Sequence, residues 1–246
     1  ERTPRGYGLT RSGERLLDSA RRIGEEADLV GATLGDDSAI GGSVRISCLE
    51  GFGNFFLAPL LPELKRSYPR LRIELLTIQQ IVALSSREAH IAITVNPPST
   101  LRFESTKLID YALFVYGAAD YLARRPIGKV ADLGQHSFSG YIDELVFSRD
   151  LDYLAEVSPG LKADLQSSSL HAQMQFALAG HGLCVLPAFI ARQQPGLVAV
   201  LPDVIRLSRT YWIVTPEAQA TTAARSVARF IASKAEAAGH IFSGPA

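Results

Sequence analysis

The chain has little cysteine, one tryptophan, one methionine and no net charge. Cys48 and Cys184 are too few for a disulfide framework. Each lies in an apolar run that reads as a strand, so a buried, reduced thiol is expected at both. No apolar stretch approaches the ~20 residues of a membrane span, and no export signal is visible. These features point to the cytoplasm, with no membrane partner. Lys plus Arg and Asp plus Glu both number 25. There is thus no chain-wide basic field to suggest nucleic-acid binding. The five histidines, at 90, 136, 171, 181 and 240, show no metal-ligand spacing. His-Glu-x-x-His, a phosphate-binding Walker loop and Gly-x-Ser-x-Gly are all missing. No nucleophile is paired with a base at recognisable spacing. We therefore expect no metal, no cofactor and no enzymatic activity, and an enzyme ranks last among the readings.

What is present is an ordinary globular composition. The 246 residues are 47% hydrophobic and 20% charged. They suffice for one large domain or two of roughly 100–120 residues. Residues 1–10 are rich in Arg, Gly and Pro and predict a turn or hairpin, with Thr10 as a helix cap. From Arg11 to Leu34 no proline interrupts the chain. Leu16, Ala20, Ile23, Ala27, Val30 and Leu34 follow a 4-3 heptad seam, which predicts a helix that pairs with a second copy. Residues 35–43 form a Gly/Asp/Ser linker.

Beyond the linker, strands and helices alternate. Strands are predicted at 44–49, 71–77, 91–95 and 108–116, with helices at 54–67 and 82–87. A second set follows, with strands near 138–142, 161–166 and 183–186, and helices at 147–157 and 169–179. Strands at 198–201 and 210–215 and a helix at 221–237 close the chain. Such repetition predicts parallel sheets covered by helices, in two similar α/β subdomains. Ligands of these sheets bind at the carboxyl ends of strands, in the crevice between lobes.

Five segments, in order, resemble the LysR-type transcriptional regulators. RGYGLTRSGERLLDSARRI is similar to the end of their DNA-binding wing and the start of their linker helix. GGSVRISCLEGFGNFFLAPLLPELKRSYPRLRIELLT resembles the opening of their effector-binding domain. REAHIAIT, ALAGHGLCVLPAFIAR and YWIVTPEAQATTAARSVARFIAS resemble later segments of it. His90 stands where the family usually has Asp, and Thr94 where Arg often follows.

The resemblance implies two Rossmann-like subdomains of periplasmic-binding-protein type, preceded by a long linker helix. Residues 1–36 would be the wing remnant and dimerisation helix. Subdomain I would comprise 43–116 and 216–246, and subdomain II 117–215. The helix-turn-helix would lie before Glu1. DNA and a small-molecule effector are the implied partners, in a homodimer or homotetramer. A solute-binding protein of a transport system, which has the same two-lobe fold, is the alternative.

Several residues follow as site candidates. Arg2 and Arg5 would contact DNA phosphates, with local support from six Arg against three acids in residues 1–22. The turn at 50–54 offers Gly51, Phe52 and Asn54 to the effector cleft, and Glu50 there weighs against a carboxylate effector. Thr77 and Asn96 sit at carboxyl strand ends. Ser139 and Tyr141 lie on or just past the first strand of the second lobe. Ser168 and Ser169 precede a helix, where hydroxyls cap N–H groups or hold an anion. Gly180 is expected as a left-handed helix cap, which explains Gly180-His181-Gly182 without chemistry.

Overall fold

A computed structural model describes residues 2–3, 6–7, 10–13, 15–16, 19–20, 23, 40–78, 89–97, 103–145, 151–216 and 221–245. The predicted helix at 82–87, residues 35–39 of the linker, Arg5, and Ala27, Val30 and Leu34 of the seam lie outside these residues.

At the N-terminus, β1 (Arg2–Thr3) and β2 (Gly6–Tyr7) form the expected hairpin, with Arg2 opposite Tyr7. The described residues from Arg11 to Ile23 are helical. Thr10 Oγ1 accepts the Gly13 N–H at 3.1 Å, the bond an N-cap makes. Leu16 and Ile23 are each 71% exposed, so this apolar seam has no cover within the chain's described residues.

The main body is built on one mixed sheet. β3 (Gly42–Leu49), β4 (Leu71–Ile78) and β5 (Ile91–Thr94) run parallel, with Ile46 opposite both Leu75 and Ile91. Val44, Ile46 and Cys48 alternate inward, as period-2 burial requires. Between β3 and β4 the chain forms α1 (Glu50–Phe52), a π turn (Gly53–Leu57) and α2 (Ala58–Ser67). The turn expected at 50–54 is therefore already helical.

Two long strands join the halves of the molecule. β6 (Phe103–Ala118) and β11 (Leu207–Pro216) pair antiparallel from Phe103–Pro216 to Leu113–Leu207, with a register shift between Tyr211 and Trp212. The far half of β6 also pairs antiparallel with β9 (Leu183–Pro187) and β10 (Leu197–Val200). Parallel pairing therefore holds for β3, β4 and β5, while the crossing strands are antiparallel and make a single seven-stranded sheet of both lobes. In the second lobe β7 (Ser139–Gly140) and β8 (Leu165–Gln166) pair parallel over only two residues each, shorter than the sequence predicts.

Helices cover this sheet: α3 (Ala119–Arg124), α4 (Tyr153–Val157), α5 (Leu170–Leu178), α6 (Ala188–Ala191), α7 (Thr222–Ala237) and α8 (Gly239–Ser243). α7 starts where expected, with Thr221 Oγ1 accepting the Ala224 N–H. It buries Ala223, Ala224, Val227, Ile231 and Ala235, a helical stripe. α5 ends as predicted. Gly180 takes φ +80°, and the His181 N–H reaches back to the Phe176 carbonyl at 3.1 Å.

Candidate functional site: the interlobe cleft

The two lobes meet where α1 faces the start of α5. Glu50 follows β3 in the first lobe, and Ser169 and Leu170 open α5 in the second. Ser169 Oγ donates to Glu50 Oε1 at 2.8 Å, and the Leu170 N–H donates to Glu50 Oε2 at 2.8 Å. A carboxylate is stable there because the first turn of a helix has unshared N–H groups and a positive dipole end. Ser169 serves both sides, since its oxygen also accepts the Ala172 N–H at 3.2 Å. A β-carbon on Gly51 would stand 3.0 Å from side chains of both Leu170 and Ile190. Glycine thus lets α1 approach the second lobe closely. Around this contact the Phe55 and His171 rings stack at 6.0 Å, and Gln193 Nε2 donates to the Phe55 carbonyl at 3.0 Å.

Deeper, at the crossing strands, the contact is aromatic. Tyr111 on β6 and Tyr211 on β11 stack with centroids 4.2 Å apart and planes 12° from parallel. Phe52 packs on Tyr211 at 4.8 Å, and Phe189 lies 6.4 Å from each tyrosine. Burial pushes the Tyr111, Tyr211 and Tyr141 phenols well above the usual tyrosine range, and neighbouring groups add to it, Tyr153 for Tyr211 and Tyr141, and Glu50 for Tyr141. These phenols therefore remain protonated. Tyr153 stands 6.1 Å from Tyr141 and under the guanidinium of Arg209, which pairs with Glu156. Beside them, within the second lobe, opens a cavity of about 460 Å³ whose lining runs from Ser139 to Val185, with Tyr141, Asp143, Asp152, Tyr153, Lys162 and Gln173 on its walls. That is the size range of small-molecule pockets.

The expected site residues fall into groups. Ser139 and Tyr141 border the cavity, although the buried Ser139 hydroxyl is itself donated to the Gln173 carbonyl at 3.1 Å. Ser169 forms the bridge to Glu50, with Ser168 half-buried beside it. Gly51 and Phe52 are buried against the second lobe and the tyrosine stack. Asn54, Thr77 and Asn96 are exposed, and the Asn96 carbonyl accepts the Thr94 hydroxyl at 2.6 Å. Arg2 lies in the hairpin. Glu50, Leu170, Gln193 and the Tyr111–Tyr211 stack were not among the candidates. The pairing of Glu50 with Ser169 spans 119 residues, and no local spacing signals it.

Other side chains have structural roles. His90, the departure from the family's Asp, accepts the Arg45 N–H on Nδ1 at 2.9 Å and returns its own N–H to the Arg45 carbonyl. Both thiols are buried and unbridged; burial pushes the Cys48 thiol up to about 12 and Cys184 higher still. Reactive thiolate chemistry is disfavoured at both. Among the described residues no cluster of His, Cys, Asp or Glu could hold a metal, and no helix is long and apolar enough to cross a membrane.

With this geometry in hand, comparison with known proteins decides the family. The family described as LysR substrate binding domain matches residues 38–236. The chain belongs to the LysR-type transcriptional regulators. The LysR-type chain is 28% identical over 233 residues to the HTH-type transcriptional activator TtdR of Escherichia coli (strain K12), covering 88% of this chain and 72% of that protein. It is 24% identical over 211 residues to the HTH-type transcriptional regulator PtxR of Pseudomonas aeruginosa, covering 82% and 67%. The solved structure of CrgA, a LysR-type transcriptional regulator from Neisseria meningitidis, superposes with a TM-score of 0.72 at 20% identity. That match covers 96% of this chain and 83% of that one. The two-lobe architecture expected of the family is shared, and these LysR-type relatives are regulators rather than enzymes or transport proteins.

Proposed function

We propose that the cleft between the lobes takes a small-molecule effector and that its occupancy alters DNA binding by the whole regulator. The observation that carries this is the contrast within one interface. The lobes are held at one place by a buried aromatic stack and at another by hydrogen bonds to Glu50, and a 460 Å³ cavity of the second lobe opens at Tyr141 and Tyr153 near that stack. A ligand that binds the open and closed forms unequally shifts that balance, which is the requirement for allosteric control. Tyr141 and Tyr153 supply aromatic faces, and Asp143, Asp152, Lys162 and Gln173 supply polar ends. Subdomain I then comprises 43–116 and 216–246, and subdomain II 117–215. The exposed Leu16 and Ile23 pack against the same helix of a second copy, as homodimer or homotetramer, and Arg2 and Arg5 contact phosphates beside the reading head.

The test is a thermal-shift screen of small metabolites on the chain, followed by gel-shift assays of the full-length regulator on its own promoter. A binder raises Tm by mass action, and its effect should fall in Tyr141→Ala and Tyr153→Ala. A binder that raises Tm equally in both variants, or that leaves promoter binding unaltered, overturns this reading.

A further inference from the structure

Glu50 occupies a position that usually attracts a ligand. Its two carboxylate oxygens take the Ser169 hydroxyl and the Leu170 N–H, each at 2.8 Å, as a bound carboxylate would at a helix start. The group arrives from the opposite lobe, and the adjacent Gly51 packs closely against the side chains of Leu170 and Ile190. Ser169 is committed on both sides, to Glu50 and to the Ala172 N–H. Phe55 on His171 and Gln193 on the Phe55 carbonyl flank the contact from the same two elements.

We propose that Glu50 is an internal stand-in for a ligand carboxylate: it fills the anion seat at the head of α5, latches the lobes together, and so selects against carboxylate effectors. For the word effector the proposal rests on the cleft reading above; the latch itself does not. A free carboxylate must compete with a tethered one whose local concentration is far higher, and it also meets the charge of the displaced Glu50. An effector group that reaches this seat is therefore neutral or cationic.

Acetate is the probe. Glu50→Ala empties the seat, and Glu50→Gln is the isosteric variant that keeps one acceptor and loses the charge. In chloride buffer Glu50→Ala should melt several degrees below the wild type, with Glu50→Gln between them. Sodium acetate at 0.1 M, an order-of-magnitude choice for a weak seat, should recover most of that loss in Glu50→Ala, beyond the effect of equal sodium chloride. It should leave the wild type unmoved, and the recovery should vanish in Glu50→Ala/Ser169→Ala. If acetate raises Tm of the wild type as much as that of Glu50→Ala, or if both single variants melt with the wild type, the proposal is overturned. Neither arm uses an effector. Failure of the cleft reading would instead appear in the metabolite screen while acetate rescue persists.

Discussion

The two lobes touch in two chemically different ways. At the crossing strands, Tyr111 and Tyr211 stack face to face among Phe52 and Phe189, with the phenols kept neutral by burial. At the mouth, Glu50 reaches across to Ser169 and Leu170 through half-buried, charge-assisted hydrogen bonds. The first contact is held by area and shape, so it weakens only when the core opens. The second depends on one carboxylate whose partners water or another anion can replace. A hinge needs the first kind of contact, and a releasable closure needs the second.

Substitution at the hinge should have the largest effect. Tyr211→Ala removes a ring that touches both lobes and should cost about 3–5 kcal/mol in denaturant unfolding. A cost below about 1 kcal/mol would mean that the aromatic stack is not what fixes the lobes. Glu50→Ala should cost about 2 kcal/mol, the scale of hydrogen bonds to a charged group. Ser169→Ala should cost about 1 kcal/mol through the lost cap, and a double-mutant cycle with Glu50 should show coupling of about 1 kcal/mol. Strict additivity would show that the bridge is absent in solution. Gln193→Ala, removing an exposed bond to the Phe55 carbonyl and a second one to the Phe189 carbonyl, should cost about 0.5 kcal/mol.

The smallest effect is a pH dependence away from both contacts. Burial, then the Arg125 charge, lowers the pKa of His136 below its ordinary 6.5. Its Nδ1 lies 2.9 Å from the Tyr121 hydroxyl, and Arg125 also donates to that hydroxyl. Because the folded pKa is depressed, the unfolded chain binds the proton more readily. The contribution is complete above the unfolded value and is lost as pH falls from 6.5 through the folded one. Denaturation midpoints of His136→Asn should change less than those of the wild type between pH 7.5 and 5.5. Equal slopes would remove His136 from the account.

Much of the architecture was legible because burial leaves local marks. Val44, Ile46 and Cys48 alternate, the stripe from Ala223 to Ala235 is helical, and Gly180 announces a cap. Strand ends were less visible. β6 begins at Phe103 through a polar run, because its first half is secured by the β11 ladder rather than by burial. The start of α1 read as a turn because two glycines there suggest one. Their actual role is close approach, to Leu170 and Ile190 at Gly51 and to Thr77 and Cys48 at Gly53. Ser169 was legible as a residue before a helix, but its partner was not. Hydrogen bonds between residues 119 apart leave no periodicity to read.

The sequence holds a single tryptophan, Trp212, placed on β11 at the register shift beside Tyr211. It pairs with Thr94 of the first lobe and with Lys107 on β6, and it is half-buried. Tryptophan emission from this chain, excited at wavelengths that tyrosine does not absorb, therefore comes from one indole at the point where the connecting strands change register. The lobe movement proposed above should change its spectrum and quenching, with no label attached.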